Sequence, residues 1–138
     1  MVGDAVGEVV GSRVLRMKLL THNMLTCNVK GVKNGYPLKI EAAKHEVRET
    51  EMNADFLRSI VPRLEWKAFR EAAAQLGEND IPAEVNDELL EDEEFMKKFH
   101  RALMEIVVVE GTLVCPESGR KFPIRNTIPN MILNEDEV

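Results

Sequence analysis

Val114–Asn130 reads VCPESGRKFPIRNTIPN, and the interpretation of this stretch decides the fold. Cys115-Pro116, a tight turn at Gly119 and a short alternating run over Lys121–Ile124 together have the form of half a zinc knuckle. A C-P-x-C-G knuckle would carry its second thiolate at position 118, and Ser118 stands there. A structural zinc takes four ligands, usually thiolates or imidazoles in tetrahedral array. The chain has two cysteines, Cys27 and Cys115, and Val32 occupies the position five residues after Cys27. Neither valine nor a neutral serine hydroxyl is a usual zinc ligand. His22 could add one imidazole, whereas His45 and His100 fall on other elements. The expectation is a β-turn unit held by packing, without metal, in which both thiols are small buried hydrophobes. A disulfide between them is the lesser alternative in a reducing compartment.

Outward from this stretch the signals are those of strands. Val107–Val114 is rich in β-branched residues, with Gly111 as a bulge or bend. Phe122 and Ile124 form a period-2 pair, and Ile128 with Met131–Leu133 predicts a last apolar strand before the acidic tail NEDEV. Near the other end, MKLL at 17–20 predicts a short strand. Asn34-Gly35 is a hairpin cue because both residues tolerate positive φ. Pro37–Glu41 alternates as a half-buried strand, placed at an edge by its proline.

Between the two ends the period becomes helical. Phe56, Ile60 and Leu64 recur at helix spacing and are interrupted at Pro62. Trp66, Phe69, Ala73 and Leu76 mark a second helix that stops at Gly77. Phe95, Phe99, Leu103 and Ile106 mark a third. The acidic run Glu84–Glu94 precedes Lys97, Lys98 and Arg101, the order that suits a helix macrodipole, so a solvated helix start is the simplest reading. The simplest closure is an α+β chain in which both ends build one small β-domain, 17–52 with 107–134. A three-helix lobe, 53–106, is inserted between them. Residues 1–16, punctuated by Gly3, Gly7 and Gly11, read as a flexible extension that a start at Met17 would remove, and 135–138 as an acidic tail.

Composition narrows the function classes. With 138 residues, 44% of them hydrophobic, the chain can bury a core. Its net charge of -6 argues against unaided nucleic-acid binding, which rests on basic side chains neutralising phosphates. No apolar run reaches the roughly 20 residues that a membrane span needs. Asp4 and Glu8 in a start without a long apolar run argue against a secretory signal. Catalytic readings find little support. His22 lies five residues before Cys27, at neither helical nor same-face strand spacing, and no G-x-x-x-x-G-K or G-x-G-x-x-G cradle is present. An interaction module is the better class, because a sheet of few strands leaves edges that accept a partner's strand.

MKLLTHNML at 17–25, Cys27, the segment Asn53–Leu57 leading into VPRLEWKAF, and EGTLVCPESGRKFPIRNTIPNMIL at 110–133 together resemble the eukaryotic multifunctional methyltransferase subunits. These are small activators shared by tRNA, rRNA and release-factor methyltransferases, and the resemblance covers residues 17–134. It implies a zinc-ribbon-like β-domain built from both chain ends, and a non-catalytic heterodimer partner of the cytoplasm and nucleus. S-adenosylmethionine would be bound by the methyltransferase and not by this chain. Some members carry four cysteines and zinc; with only Cys27 and Cys115 here, zinc is not carried over. The family often has glycine where this chain has Thr127. By resemblance the partner-binding residues are Leu20, Thr21, Asn23 and Leu25, together with Ile128, Pro129, Asn130, Met131, Ile132 and Leu133. A stand-alone zinc-ribbon nucleic-acid module is the competing class and would need both zinc and a basic face; a thiol enzyme is a third.

Overall fold

A computed structural model describes residues 16–138 of the chain; all of the proposed extension 1–16 except Arg16 lies outside the described residues. The described chain is α+β. Its strands are β1 (Lys39–Val47), β2 (Ile106–Val114), β3 (Lys121–Arg125) and β4 (Ile128–Pro129); its helices are α1 (Leu19–Met24), α2 (Ala54–Ile60), α3 (Trp66–Gln75), α4 (Asp87–Leu90) and α5 (Glu93–His100). A 3-10 turn at Val61–Arg63 follows α2, and a π turn at Arg101–Glu105 joins α5 to β2.

The strands form one antiparallel sheet in the order β1-β2-β3-β4. Strands β1 and β2 pair from Lys39↔Val114 to Val47↔Ile106, with the register shifting between Ala42 and His45. Gly111 sits opposite Ala42, and a Cβ there would lie 2.5 Å from the carbonyl oxygen of Glu41, so only glycine fits where the strands close up. The chain ends are stitched together by backbone bonds. Lys18 bridges Val107, the Met17 N–H donates to the Thr127 carbonyl at 2.6 Å, and Val108 N–H donates to the Met17 carbonyl at 2.9 Å.

One apolar cluster unites the sheet and the helices. Ile40, Val108, Leu113, Phe122 and Ile124 of the sheet belong with Met17, Leu19, Leu57, Phe69, Phe99 and Leu103 to a single buried core. Each such side chain contributes roughly 1.5–3 kcal/mol on burial. Trp66 packs on Phe69, Phe95 and Phe99 with ring centroids 5.2, 6.3 and 5.4 Å away, and its indole N–H donates to the Pro82 carbonyl at 2.9 Å. Helix α3 stops where Gly77 takes φ +90°, a value that a Cβ penalises. Helix α5 begins with the Asp92 carboxylate accepting from the N–H groups of Glu94 and Phe95.

Four expectations need correction. MKLL makes a single bridge at Lys18 and then turns into α1. The buried residues Leu19, His22 and Asn23 fall at helical spacing, a stripe hidden from a hydrophobicity pattern because two of the three are polar. Asn34-Gly35 closes no hairpin; neither residue has positive φ, which falls instead on Gly31. The helical segment also contains a further short helix, α4, whose first turn is capped by Asn86. The apolar end of the chain is not a long strand. Pairing stops after Ile128–Pro129, where Asn130 Oδ1 accepts from the Ile132 N–H at 3.0 Å and turns the chain away. No helix among the described residues is long and apolar enough to cross a membrane.

Candidate partner-binding site

The half knuckle that opens the question of metal is tied by hydrogen bonds. The Glu117 carboxylate accepts from the backbone N–H groups of Lys33 (3.1 Å) and Asn34 (3.0 Å), joining the Cys27 loop to the Cys115 turn. Cys27 N–H donates to the Gly35 carbonyl at 2.9 Å, and Gly119 N–H to the Cys115 carbonyl at 3.0 Å. Both cysteines are free and buried. Burial pushes the Cys27 thiol up. Burial pushes Cys115 the same way, but hydrogen bonds from the Ser118 hydroxyl and N–H, from Cys27 and from the Glu117 backbone outweigh it and bring Cys115 down to about 7. The Ser118 N–H lies 3.3 Å from the Cys115 sulfur. Zinc needs four soft or borderline donors, and this set does not fit it. It offers two thiols that face each other and a serine already hydrogen-bonded to one of them, while Val32 packs against the core. Among the described residues no group of three or more His, Cys, Asp and Glu side chains is placed to hold a metal.

His22 does not serve as a base for Cys27. Its Nε2 lies 2.6 Å from the Leu38 carbonyl and therefore carries the proton, which leaves Nδ1 buried without a partner. Burial lowers its pKa against that hydrogen bond and keeps the ring neutral.

The two groups of sequence-predicted contact residues have different fates. Ile128, Pro129, Asn130, Met131 and Ile132 come together and, with Pro123 and Arg125, line one open groove of about 600 Å³ beside the β4 edge. Ile128 is 44% exposed and Ile132 is 78% exposed, while Met131 and Leu133 are half-buried and lean on the core. The amino-terminal group lines no part of that groove. Leu20 and Leu25 are half-buried against the core, and the Thr21 hydroxyl donates to the Arg16 carbonyl at 2.7 Å. Asn23 is buried, with its amide donating to the Glu65 carbonyl and accepting from the Glu65 N–H, both at 3.0 Å. Its neighbour Met24, absent from the sequence-predicted set, is 66% exposed. Only the helical phase of α1 reveals it, because Met24 falls opposite Leu19, His22 and Asn23.

The sheet's two edges are unlike. Lys39, Glu41, Lys44 and His45 are exposed along β1, and a bulge interrupts that strand. The β4 edge presents the apolar groove. Charge and bulges guard β1 against pairing, whereas among the described residues β4 is a two-residue edge with the apolar groove beside it.

Comparison with known proteins places the chain in a family. The profile of the Trm112p-like protein family matches residues 18–126. A chain from Arabidopsis thaliana, "Multifunctional methyltransferase subunit TRM112 homolog A", is 52% identical over 124 residues, covering 88% of this chain and 100% of the relative. The mouse "Multifunctional methyltransferase subunit TRM112-like protein" is 45% identical over 122 residues, 88% of this chain and 98% of its own. The subunit from Saccharomyces cerevisiae is 31% identical over 130 residues, 85% of this chain and 96% of its own. Among solved structures, the E. cuniculi Mtq2-Trm112 complex, described as methylating the eRF1 translation termination factor, contains a chain of like fold. The TM-score is 0.51 at 21% identity, over 84% of this chain and 95% of that one. The chain therefore belongs to the Trm112p-like family, whose curated members carry the name multifunctional methyltransferase subunit.

Proposed function

We propose that this chain is a non-catalytic activating and stabilising subunit of S-adenosylmethionine-dependent methyltransferases that act on tRNA, rRNA and translation release factor. The observation that carries the reading is the open, apolar groove along the β4 edge in a chain of this family. A partner strand laid along the β4 edge would take up backbone N–H and C=O groups that no strand among the described residues pairs. Ile128 and Ile132 would enter apolar pockets of the partner, with Met131 and Met24 as adaptable contacts. Backbone pairing reads register and not side-chain identity, so several enzymes can share one subunit. An interface of roughly 1,600 Å² is ordinary for such a pair.

In this reading the methyltransferase holds S-adenosylmethionine and the acceptor, and the complexes work in the cytoplasm and nucleus. Leu20, Thr21 and Leu25, together with Leu133 just beyond the groove, are further partner contacts in this reading, and Asn23 serves the fold. The β-unit is zinc-ribbon-like in outline, with the Cys27 loop and the Cys115 turn meeting as two knuckles tied by Glu117. Activation then consists of covering an apolar edge of the enzyme and bracing its fold.

The test is the double variant Ile128→Asp/Ile132→Asp, co-expressed with a methyltransferase partner. Both side chains are exposed, so each change should cost the free chain under about 0.5 kcal/mol. The expected result is loss of co-purification and of the partner's solubility. Retention of both with this variant overturns the assignment of the groove.

A further inference from the structure

The groove's outer wall is made by a segment that belongs to no strand or helix, Asn130–Asn134, and something must hold it in place. On its β3 side it hangs from one backbone bond, Asn130 N–H to the Pro123 carbonyl at 2.9 Å. The acidic tail that follows is not free. The Arg120 guanidinium grips the Glu137 carboxylate with two charge-assisted bonds, Nε at 2.6 Å and Nη2 at 3.0 Å. The two side chains are only 27% and 16% exposed, unlike an ordinary surface pair. The same Nη2 reaches the Ile132 carbonyl at 3.4 Å, Nη1 donates to the Lys121 carbonyl, and the guanidinium lies 4.7 Å from the centre of the Phe122 ring. Glu137 is itself anchored twice more. Its carboxylate accepts from the Asn134 N–H at 2.9 Å, and its carbonyl accepts from the Lys30 N–H at 2.7 Å.

We propose that Arg120 and Glu137 are positioning residues for partner binding, a latch that folds the carboxy-terminal tail back and fixes Ile132 in the docking conformation. The proposal rests on the groove reading above and extends it. Among the described residues Ile132 is the most exposed large apolar side chain, yet its main chain is tied through Arg120 to β3 and through Glu137 to the Lys30 loop. Flexible segments that order on binding surrender affinity, and a segment ordered beforehand keeps it. Neither Arg120 nor Glu137 lines the groove, so their effect on the partner runs through the segment they hold.

The experiment uses the full chain with a release-factor methyltransferase and compares Glu137→Gln, Arg120→Gln, the double variant and Ile132→Asp. Affinity is measured by calorimetry, and amide exchange of residues 130–137 by NMR on the free chain. Glu137→Gln is expected to weaken binding about tenfold, with faster exchange confined to the tail and an unchanged thermal midpoint. Arg120→Gln should do the same, and the double variant should add little to either, because both changes open one latch. If Ile132→Asp abolishes binding while Glu137→Gln binds like the unaltered chain, the latch is wrong and the groove stands. If Ile132→Asp also binds normally, the groove reading falls and the latch with it. Additive losses accompanied by a lowered midpoint would reduce Arg120 and Glu137 to a structural pair and overturn the proposal.

Discussion

At Thr127 the backbone takes φ +71°, next to Asn126 at φ +49°. An L-residue in this region costs about 1–2 kcal/mol, more acceptable for asparagine than for a β-branched residue. The turn is held there from both sides, Thr127 N–H donating to the Val109 carbonyl at 2.9 Å and its carbonyl accepting from Met17. Glycine would adopt this conformation without that cost, and threonine is held in it by pairing. Cys115 shows the same balance of local cost and local gain. Burial opposes its thiolate, and the donors from Ser118 and its neighbours win, bringing it to about 7 from an ordinary 9.0. The sign follows directly. Between those values the native thiol has released a proton that the unfolded chain still holds, so stability rises with pH. Chemical denaturation at stepped pH should show the midpoint climbing from about 7 towards 9.0. Cys115→Ser should remove that climb, and Ser118→Ala should shrink it. A flat profile in the unaltered chain would refute the thiolate assignment.

Among the elements, α1 packs on α3 and one of its side chains hydrogen-bonds to the start of α3. Asn23 presents its carbonyl to the Glu65 N–H and its amide to the Glu65 carbonyl, at the residue where α3 begins. Asn23→Ala leaves the Glu65 N–H without its acceptor, while the Glu65 carbonyl keeps the Phe69 N–H, a loss of about 1–2 kcal/mol. Urea denaturation should register that loss, while partner affinity of the folded variant stays unchanged. Lowered affinity at intact stability would instead return Asn23 to the contact surface. This residue also shows where the sequence was legible. Helices whose buried face is apolar, such as Phe69–Ala73–Leu76 and Phe95–Phe99, announce themselves by period. Helix α1 buries histidine and asparagine, whose hydrogen bonds run to distant segments, so no local pattern betrays it. The same limit applied at the carboxy terminus. TIPNMIL carries strand composition, but a proline without a donor and the Asn130 side chain end the ladder after two residues. Family resemblance, not any local pattern, put Ile128–Leu133 in the expected contact set; Pro123 and Arg125 of the groove were not in it, and Leu133 does not line it. Met24 escaped because it could be placed only after α1 was known to be a helix.

For the whole molecule the unequal edges of the sheet set the stoichiometry. β1 is closed to strand addition by charge and a bulge, and β4 offers a single groove. If the proposed function holds, one chain accepts one methyltransferase, and different methyltransferases compete for it. Two consequences can be measured. Native mass spectrometry of the chain with two different methyltransferases should find both one-to-one complexes and no ternary species, and titrating the second enzyme should displace the first. Binding to the folded form alone also stabilises by mass action, about 2.7 kcal/mol when free partner stands at 100 times Kd. The thermal midpoint of the chain should therefore rise with partner concentration, and Ile128→Asp/Ile132→Asp should abolish the rise. A stable ternary complex would require a second docking surface and would overturn the one-to-one stoichiometry.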